Sequence, residues 1–344
     1  MPKNTAIAVI IPCFNEQDTI IQVIDEVHSV IPHAQIYVFD NNSTDNSASL
    51  VQAKIAQIAH TGGGNANLDK NTLDSTNTRN LTKSAQFTPY LTLHSVPTQG
   101  KGAVMAYAFS VVEADIFIMI DADLECDTSI LPRALQVFNA QNLDMLNIAR
   151  LANEPNLYRK GHKFGNALFT KIAQMLFGKS FKDLLSGYRI FSRAFVKSFP
   201  ATSKGFEIET ELSVFALQCQ MRIGEISAPY RSRVEGSFSK LRTFRDGFKI
   251  LAMILQLLFT ERPLFVFGIA SILCFAVALI LGVPLVVEFI ETSKVPRFPT
   301  AFICVGFGII GVVLGIAGLL AHLIGRNCKE MRRFVYLLNS SKAQ

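Results

Sequence analysis

Short apolar runs alternate with amphipathic segments along the first part of the chain. The runs with the length of buried strands are AIAVIIP (6–12), QIYVFD (35–40), YLTLHSV (90–96) and DIFIMID (115–121). The intervening segments, over about residues 16–31, 45–59 and 100–112, have the pattern of helices. This β-α-β-α order predicts an α/β domain with a mostly parallel sheet that is covered by helices. One segment, residues 62–88, is dominated by Gly, Asn, Thr and Ser. We expect a flexible surface insert there, without a catalytic role.

Two longer apolar runs lie near the C-terminus. Residues 264–287 carry no charge, and residues 300–325 contain only His322 as an ionisable group. Because about 20 apolar residues cross a bilayer as a helix, we predict two transmembrane helices in preference to two buried core helices. Basic residues are frequent in the flanking segments 231–262 and 326–342. The positive-inside rule therefore places both flanks in the cytoplasm.

These patterns predict four regions. They are an α/β domain (1–230), a basic loop with a juxtamembrane amphipathic helix (231–262), two transmembrane helices (263–326) and a cytoplasmic basic tail (327–344). Stripes of apolar residues over 163–177 and 241–259 fit helices that lie in the membrane interface. For the first stripe, packing on the domain core explains the pattern equally well. We expect a multi-pass protein of the inner (cytoplasmic) membrane with its catalytic domain in the cytoplasm.

Composition agrees with a membrane location. The 344 residues are 49% hydrophobic and carry a net charge of +6, which fits a membrane surface or phosphate-rich substrates as well as nucleic acid. Because the apolar excess is concentrated in two spans, we expect no nucleic-acid partner. Six cysteines lack the spacing of a zinc site, which indicates free thiols in a reducing compartment. The N-terminus lacks signal-peptide features, so we expect none.

Polar residues follow three of the predicted strands. The first strand ends in PCFNE, the second in DNNSTDNS and the fourth in DAD. Each has an ordinary structural explanation: Ser43 or Asp45 caps a helix about as readily as it binds a ligand. Ligands of parallel sheets bind at the carboxyl ends of the strands, however, and these ends lie together at one edge. Asp121 and Asp123 there offer oxygen ligands suited to Mg²⁺ or Mn²⁺, and such an ion would bridge the two phosphates of a nucleotide.

Several motifs together resemble a known family. The stretches VIIPCFNE, VFDNNSTDNS, GKGAVMAYAF, IDADLECD, DLLSGYRIF and RVEGSFSKL occur in the order found in family 2 glycosyltransferases of the GT-A fold. The resemblance covers about residues 6–250 and is greatest to the branch of dolichol-phosphate mannose synthase and bacterial polyprenyl-phosphate glycosyltransferases. It implies a UDP- or GDP-hexose donor, Mg²⁺ or Mn²⁺, a polyprenyl phosphate acceptor and inversion at the anomeric carbon. The chain lacks the Q-x-x-R-W motif of processive synthases, which is evidence against a polymerase.

The resemblance also implies roles for individual residues. The expected donor-binding residues are Pro12, Phe14, Glu16, Asp40, Asn42, Lys101, Asp121, Arg233 and Lys240. The expected metal ligands are Asp121, Asp123 and Glu125, the last at a position where many relatives have Gln. The expected acceptor-binding residues are Arg150, Arg159, Lys163, Ser186 and Gly187. Asp123, Arg150 and Asp183 form the expected catalytic set. For the cluster of Arg159, Lys160 and Lys163, a solvated basic face beside an anionic membrane is an alternative explanation.

Two other functions remain open on the sequence. A glycolipid synthase would use a lipid hydroxyl as acceptor and would need a base, for which Asp183 is the nearest candidate. A non-catalytic, transferase-like partner of a membrane transporter would not need the D-A-D, S-G-Y-R and E-G-S-F-S-K-L motifs, which are intact. The sequence is compatible with a homo-oligomer and leaves the oligomeric state undecided.

Overall fold

A computed structural model describes most of the chain. The described residues are 5–62, 90–151, 183, 186–203, 205, 207–229, 231, 259, 261–294 and 297–341. They form two compact units. The first contains the described residues up to 231 together with 335–341, and the second contains those from 259 to 334. Of the predicted features, nearly all of the insert and the two interfacial stripes lie outside the described residues.

The first unit is built on one mixed sheet. In the described part of the chain its strands are β1 (Ile7–Cys13), β2 (Gln35–Asp40), β3 (Leu91–Ser95), β4 (Ile116–Met119), β5 (Met145–Leu151), β6 (Arg189–Ser192) and β7 (Ile223–Pro229). Their order across the sheet is β3-β2-β1-β4-β6-β5-β7. Strand β6 runs antiparallel to both of its neighbours, whereas the other pairs are parallel. The predicted mostly parallel sheet is confirmed.

Helices connect these strands. They are α1 (Ile20–Val30), α2 (Ser47–Gly62), α3 (Lys101–Val111), α4 (Leu131–Ala140), α5 (Arg193–Ser198) and α6 (Ile208–Gln218). A 3₁₀ turn, Thr128–Ile130, precedes α4. In α1 the residues Ile20, Val23, Ile24 and Val27 are buried at the spacing of one helix face, which explains why this segment is helical. The three helices predicted in the first part of the chain are confirmed, with boundaries that differ by a few residues.

Burial of the central strands places the polar residues at the sheet edge. Every residue of β4 is buried, as are all but one of the residues of β1. Strands that are covered on both faces tolerate few polar side chains, so the first polar positions come where the strand ends. Asp121 is the first charged residue after β4, and its side chain is 32% exposed. The carboxyl edge of the sheet is therefore where this unit offers polar groups to a ligand.

The second unit contains two long apolar helices, except that the last residues of the second helix, 335–341, belong to the first unit. These are α7 (Pro263–Thr292) and α8 (Phe298–Ser341), and both are long and apolar enough to cross a membrane. Only 6% and 11% of their most apolar stretches are buried, which is far less than expected for core helices. Within the unit the Ser271 hydroxyl donates a hydrogen bond to the Gly311 carbonyl at 2.7 Å, so the helices pack against each other. The predicted apolar spans lie inside α7 and α8.

Candidate active site

The loops after β1 and β2 are bonded to each other at the carboxyl edge of the sheet. The Asn15 amide donates to Ser43 Oγ at 3.0 Å, and the Glu16 amide donates to Ser47 Oγ at 2.8 Å. In return, the Thr44 amide donates to Asn15 Oδ1 at 2.8 Å. These contacts join the two loops into one edge, as the strand-end pattern predicted. Ser43 and Ser47 are thereby engaged in holding the loops.

Asp45 has a structural role at this edge. Its Oδ1 accepts hydrogen bonds from the Ser47 amide at 2.9 Å and from the Ser47 hydroxyl at 2.6 Å, which caps the start of α2. Its Oδ2 accepts from the Gln17 amide at 3.1 Å. Partial burial works against the charged form, but these bonds outweigh it and lower the pKa of Asp45. The helix-capping interpretation is correct for this residue.

Asp40 presents a buried acceptor at the end of β2. It is 7% exposed, and among the described residues its Oδ1 has no hydrogen-bond partner. Its Oδ2 has a long contact of 3.4 Å with the Ser43 amide. A buried carboxylate oxygen is costly unless a donor meets it, so the position suits an N–H or O–H group of a ligand. Of the expected donor-site residues, Pro12 lies near the end of the neighbouring strand β1, Phe14 and Glu16 follow that strand, and all three are partly exposed.

Asn41 links this edge to α3, and sequence reasoning missed it. Its Nδ2 donates to the carbonyl oxygens of Val96 at 3.1 Å and Thr98 at 2.8 Å, and its Oδ1 accepts from the Gly100 amide at 2.7 Å. The loop that leads into α3 is therefore anchored to β2 by one amide side chain. The predicted residue, Asn42, is exposed and donates to the Pro97 carbonyl at 2.7 Å. Nothing in the local pattern distinguishes the two asparagines.

Lys101 lies between two carboxylates. Its Nζ is 2.5 Å from Asp121 Oδ1 and 2.8 Å from Glu209 Oε1, and the lysine and Glu209 side chains are 10% and 6% exposed. Burial disfavours the ammonium, but the two carboxylates outweigh it and raise the pKa of Lys101, which therefore stays charged. The structure thus brings two predicted residues, Lys101 and Asp121, together. Glu209 was not predicted, because in the sequence it is an ordinary residue of an amphipathic segment.

The Ser186–Gly187 turn lies beside Asp121. A methyl group at Gly187 would overlap Asp121 Oδ2 and would lie 2.8 Å from Lys101 Nζ. The turn is fixed because Ser186 Oγ donates to the Ile148 carbonyl at 2.7 Å and accepts from the Tyr188 amide at 3.2 Å. The two predicted residues of the S-G motif, Ser186 and Gly187, therefore lie next to Asp121, the first Asp of the D-A-D motif.

The D-A-D loop carries the candidate metal ligands. Asp123 Oδ1 accepts from the Glu125 amide at 3.2 Å, and Glu125 is 7% exposed. Over the described ranges, no three His, Cys, Asp or Glu side chains form a metal cluster. Mg²⁺ is commonly held by one or two carboxylates together with substrate phosphates, so Asp121 and Asp123 fit that mode. The ligand role of Glu125 stays a prediction.

Arg150 and Asp183, both predicted site residues, form a bidentate pair. Arg150 Nε donates to Asp183 Oδ2 at 2.5 Å, and Nη2 donates to Oδ1 at 2.9 Å. The Asp183 side chain is 6% exposed and that of Arg150 is 24% exposed. Burial works against the carboxylate, but the arginine outweighs it and lowers the pKa of Asp183. Asp183 therefore fixes the orientation of the guanidinium and is a weak base.

Arg189 connects these groups from inside the unit. It is fully buried; its Nε donates to the Ser186 carbonyl and its Nη1 to Ser213 Oγ, both at 2.8 Å. Burial lowers its pKa to about 10, so it remains charged at neutral pH. The negative charges that act on it belong to Glu209, Asp183 and Glu225. Alternating charges thus run from Asp121 to Arg150. Sequence reasoning assigned Arg189 no role.

Four predicted residues lie outside the part of the chain that the structure describes. They are Arg159, Lys163, Arg233 and Lys240. Lys160, in the same basic cluster, also lies outside it. Their binding roles stay predictions.

Comparison with known proteins identifies the fold. Glucosyl-3-phosphoglycerate synthase from Mycobacterium tuberculosis, solved with Mn²⁺, uridine diphosphate and phosphoglyceric acid, matches with a TM-score of 0.51. The match covers 75% of this chain and 78% of the synthase at 17% sequence identity. At that identity the likeness establishes the fold alone. It is the GT-A fold that the motifs predicted.

Sequence relatives extend over nearly the whole chain. Glycosyltransferase AglJ of Haloferax volcanii is 25% identical over 326 residues, which are 94% of this chain and 95% of the relative. Undecaprenyl-phosphate 4-deoxy-4-formamido-L-arabinose transferase of Yersinia pestis is 24% identical over 343 residues, covering 95% and 90% of the two chains. The model of the family described as glycosyl transferase family 2 matches residues 8–67 and 74–199, which include β2 to β6 and all of β1 except its first residue. The chain therefore belongs to glycosyl transferase family 2 and is a glycosyltransferase.

Proposed function

We propose that this enzyme transfers a hexose from a UDP- or GDP-sugar to a polyprenyl phosphate at the cytoplasmic face of the inner membrane. The reaction is metal-dependent and inverts the anomeric carbon. Two relatives support a lipid-phosphate acceptor: one is an undecaprenyl-phosphate 4-deoxy-4-formamido-L-arabinose transferase and the other a dolichyl-phosphate hexose transferase. The observation that carries the acceptor assignment is the buried Arg150–Asp183 pair.

The donor would bind along the edge formed by β1, β2 and β4. The buried Oδ1 of Asp40 would accept a hydrogen bond from the nucleoside, with Pro12, Phe14 and Glu16 beside it. The diphosphate would lie by Asp121, where Gly187 leaves space that a side chain would fill. Asp121 and Asp123 would hold Mg²⁺ or Mn²⁺, which neutralises charge on the diphosphate. A related fold binds Mn²⁺ with uridine diphosphate, which supports this choice.

The acceptor would be positioned by Arg150. Asp183 binds one edge of the guanidinium through Nε and Nη2 and so orients the opposite edge, Nη1 and Nη2, whose planar N–H groups suit phosphate oxygens. A lipid phosphate is an anion at neutral pH and attacks without losing a proton to a base. Its oxygen would form the new bond to the anomeric carbon while the bond from that carbon to the diphosphate breaks. The nucleoside diphosphate would leave with the bonding electrons.

The state of Asp183 favours this acceptor over a lipid hydroxyl. A hydroxyl acceptor must lose its proton during attack, so the site would need a base with a pKa nearer to neutrality. Arg150 holds the pKa of Asp183 below its ordinary value, which makes that carboxylate a poor base. The glycolipid alternative would therefore have to rely on a different group.

The membrane part fits a lipid substrate. Helices α7 and α8 expose apolar side chains along most of their length, as expected for surfaces that contact lipid. Arg326, Lys329, Arg332 and Arg333 follow the second apolar span. By the positive-inside rule this end lies in the cytoplasm, where nucleotide sugars are made. The lipid phosphate group would then be presented at the face on which the catalytic unit is placed.

The test is transfer of label into lipid. Membranes that contain the full-length protein are incubated with a panel of labelled UDP- and GDP-sugars and a polyprenyl phosphate, and the label in the lipid phase is measured. We expect one donor to label the lipid phosphate, and the Asp123→Ala variant to give none. Labelling of the matched polyprenol as readily as of the phosphate would contradict the proposal and favour the glycolipid alternative.

A further inference from the structure

The ammonium of Lys101 is shared between two elements that meet at the diphosphate end of the site. Asp121 belongs to the loop after β4, and Glu209 to the first turn of α6. The two carboxylates and the ammonium together carry one net negative charge. Glu209 is 5% exposed as a residue, so its charge is little screened by water. Without it, the ammonium would pair with Asp121 alone.

The backbone of Glu209 is anchored at the start of α6. The Ser213 hydroxyl donates to the Glu209 carbonyl at 3.0 Å and accepts from Arg189 at 2.8 Å. Arg189 also binds the carbonyl of Ser186, the residue before Gly187. The start of α6 and the turn beside Asp121 are therefore joined through one buried guanidinium. The backbone that carries Glu209 is therefore fixed relative to the turn beside Asp121, and its carboxylate meets Lys101 from that fixed position.

We propose that Glu209 is a positioning residue that holds the Lys101 ammonium beside Asp121 and supplies the negative charge that lets a divalent ion compete for Asp121. Lys101 then acts as a resident cation that offsets part of the carboxylate charge until the metal and the donor diphosphate arrive. This inference rests on the proposed role of Asp121 and Asp123 as metal ligands. It concerns a residue outside the predicted site.

Charge changes on the two sides of this contact have opposite consequences. Glu209→Gln is nearly isosteric and removes the net negative charge, so Mn²⁺ binds more weakly and a free nucleoside diphosphate binds no worse. Lys101→Gln removes the competing cation and adds net negative charge, so Mn²⁺ binds more tightly and a free diphosphate more weakly. General damage to the fold would weaken both ligands in both variants. Opposite signs therefore separate positioning from a merely structural role.

The experiment measures binding of the metal alone and of the nucleotide alone. Free Mn²⁺ is titrated by electron paramagnetic resonance with the full-length protein in detergent, without donor. UDP and GDP are titrated by calorimetry in EDTA. We expect Glu209→Gln to raise the Kd for Mn²⁺ by about tenfold and Lys101→Gln to lower it. A change of about tenfold is the usual size of the effect that one neighbouring buried charge has on another. Circular dichroism checks that each variant is folded.

A matched control removes a lysine-bound carboxylate elsewhere. Glu113 lies 2.7 Å from Lys197 and 2.6 Å from Arg193, but its side chain is 60% exposed. Glu113→Gln should leave the Kd for Mn²⁺ unchanged. Unchanged Mn²⁺ binding in Glu209→Gln, or a shift in the same direction in Glu209→Gln and Lys101→Gln, would overturn the inference. If Asp123→Asn also leaves Mn²⁺ binding intact, the metal site of the proposed function falls with it; if Asp123→Asn weakens binding, only the inference falls.

Discussion

Replacing Arg150 by alanine tests the buried pair on which the acceptor assignment depends. In the folded protein the Asp183 carboxylate receives two hydrogen bonds from the guanidinium, at 2.5 and 2.9 Å, and its side chain is 6% exposed. After the substitution the carboxylate stays buried and loses its hydrogen-bonded counter-ion, while the more distant charge of Arg189 still acts on it. We therefore expect two separable effects, one on stability and one on use of the acceptor.

The effect on stability follows from the burial of the pair. Removing one partner of a fully buried ion pair costs about 3–5 kcal/mol. Because the Arg150 side chain is 24% exposed, water reaches one end of the pair and the lower limit, about 3 kcal/mol, applies. For a unit of this size, each kcal/mol shifts Tm by roughly 2–4 °C, which gives a fall of roughly 6–12 °C. The double variant Arg150→Ala/Asp183→Asn should recover more than half of it, because the buried charge is gone.

The stabilisation that the Arg150–Asp183 pair gives the protein depends on pH only in the acid range. Arg150 lowers the pKa of Asp183 in the folded protein, so folding favours the ionised carboxylate. The stabilisation is fully present above the ordinary pKa of Asp, about 3.9, and is lost as the pH falls through the lower folded value. Thermal melts of the full-length protein at neutral pH, followed by circular dichroism in detergent, therefore report the whole effect.

The effect on function should fall on the acceptor. Losing a charge-assisted contact with the phosphate costs about 2–5 kcal/mol, which is at least roughly a 30-fold loss in kcat/KM for the polyprenyl phosphate. Donor affinity should stay within a few fold, and Arg150→Lys should rescue only in part because lysine lacks the planar fork. Arg222→Ala is the control, since that arginine also binds a buried carboxylate, Asp144, outside the site. Equal losses for donor and acceptor, or an unchanged Tm together with unchanged transfer, would refute the reasoning.

Two further substitutions test the site, and one segment replacement tests the insert. Asp123→Ala should abolish turnover without lowering Tm by more than a few degrees, and EDTA should do the same reversibly; full activity of that variant in excess EDTA would remove the metal from the mechanism. Gly187→Ala places a methyl group against Asp121 and should weaken donor binding by at least about tenfold in calorimetry, whereas Gly268→Ala, with nothing within 4 Å, should not. Replacing residues 62–88 by a short Gly/Ser linker should leave kcat and KM within a few fold, because loop length costs little free energy; loss of donor binding would show that the insert has a function.

Local patterns were enough to predict the scaffold. The buried runs of β1, β2 and β4 are set by the strand's own side chains, which must avoid water on both faces. The same constraint forces polar residues to the strand ends, so Asp40 and Asp121 could be placed at one edge before any contact was known. The two long apolar helices could also be predicted from the sequence, because their length and lack of charge are properties of a continuous segment.

Pairings between distant segments came only from the tertiary structure. No motif in the sequence marks Glu209, and it becomes a site residue because α6 brings it to Lys101, more than a hundred positions earlier. The antiparallel insertion of β6 between β4 and β5 decides that Arg189 is buried and that Gly187 touches Asp121. Likewise, the sequence predicted Arg150 and Asp183 as separate site residues, and only the fold shows that they neutralise each other. Whether a strand is buried can be predicted from its own residues, because burial follows from their hydrophobicity. The partner of a buried charge depends on which distant segments pack together, so only the tertiary structure shows it.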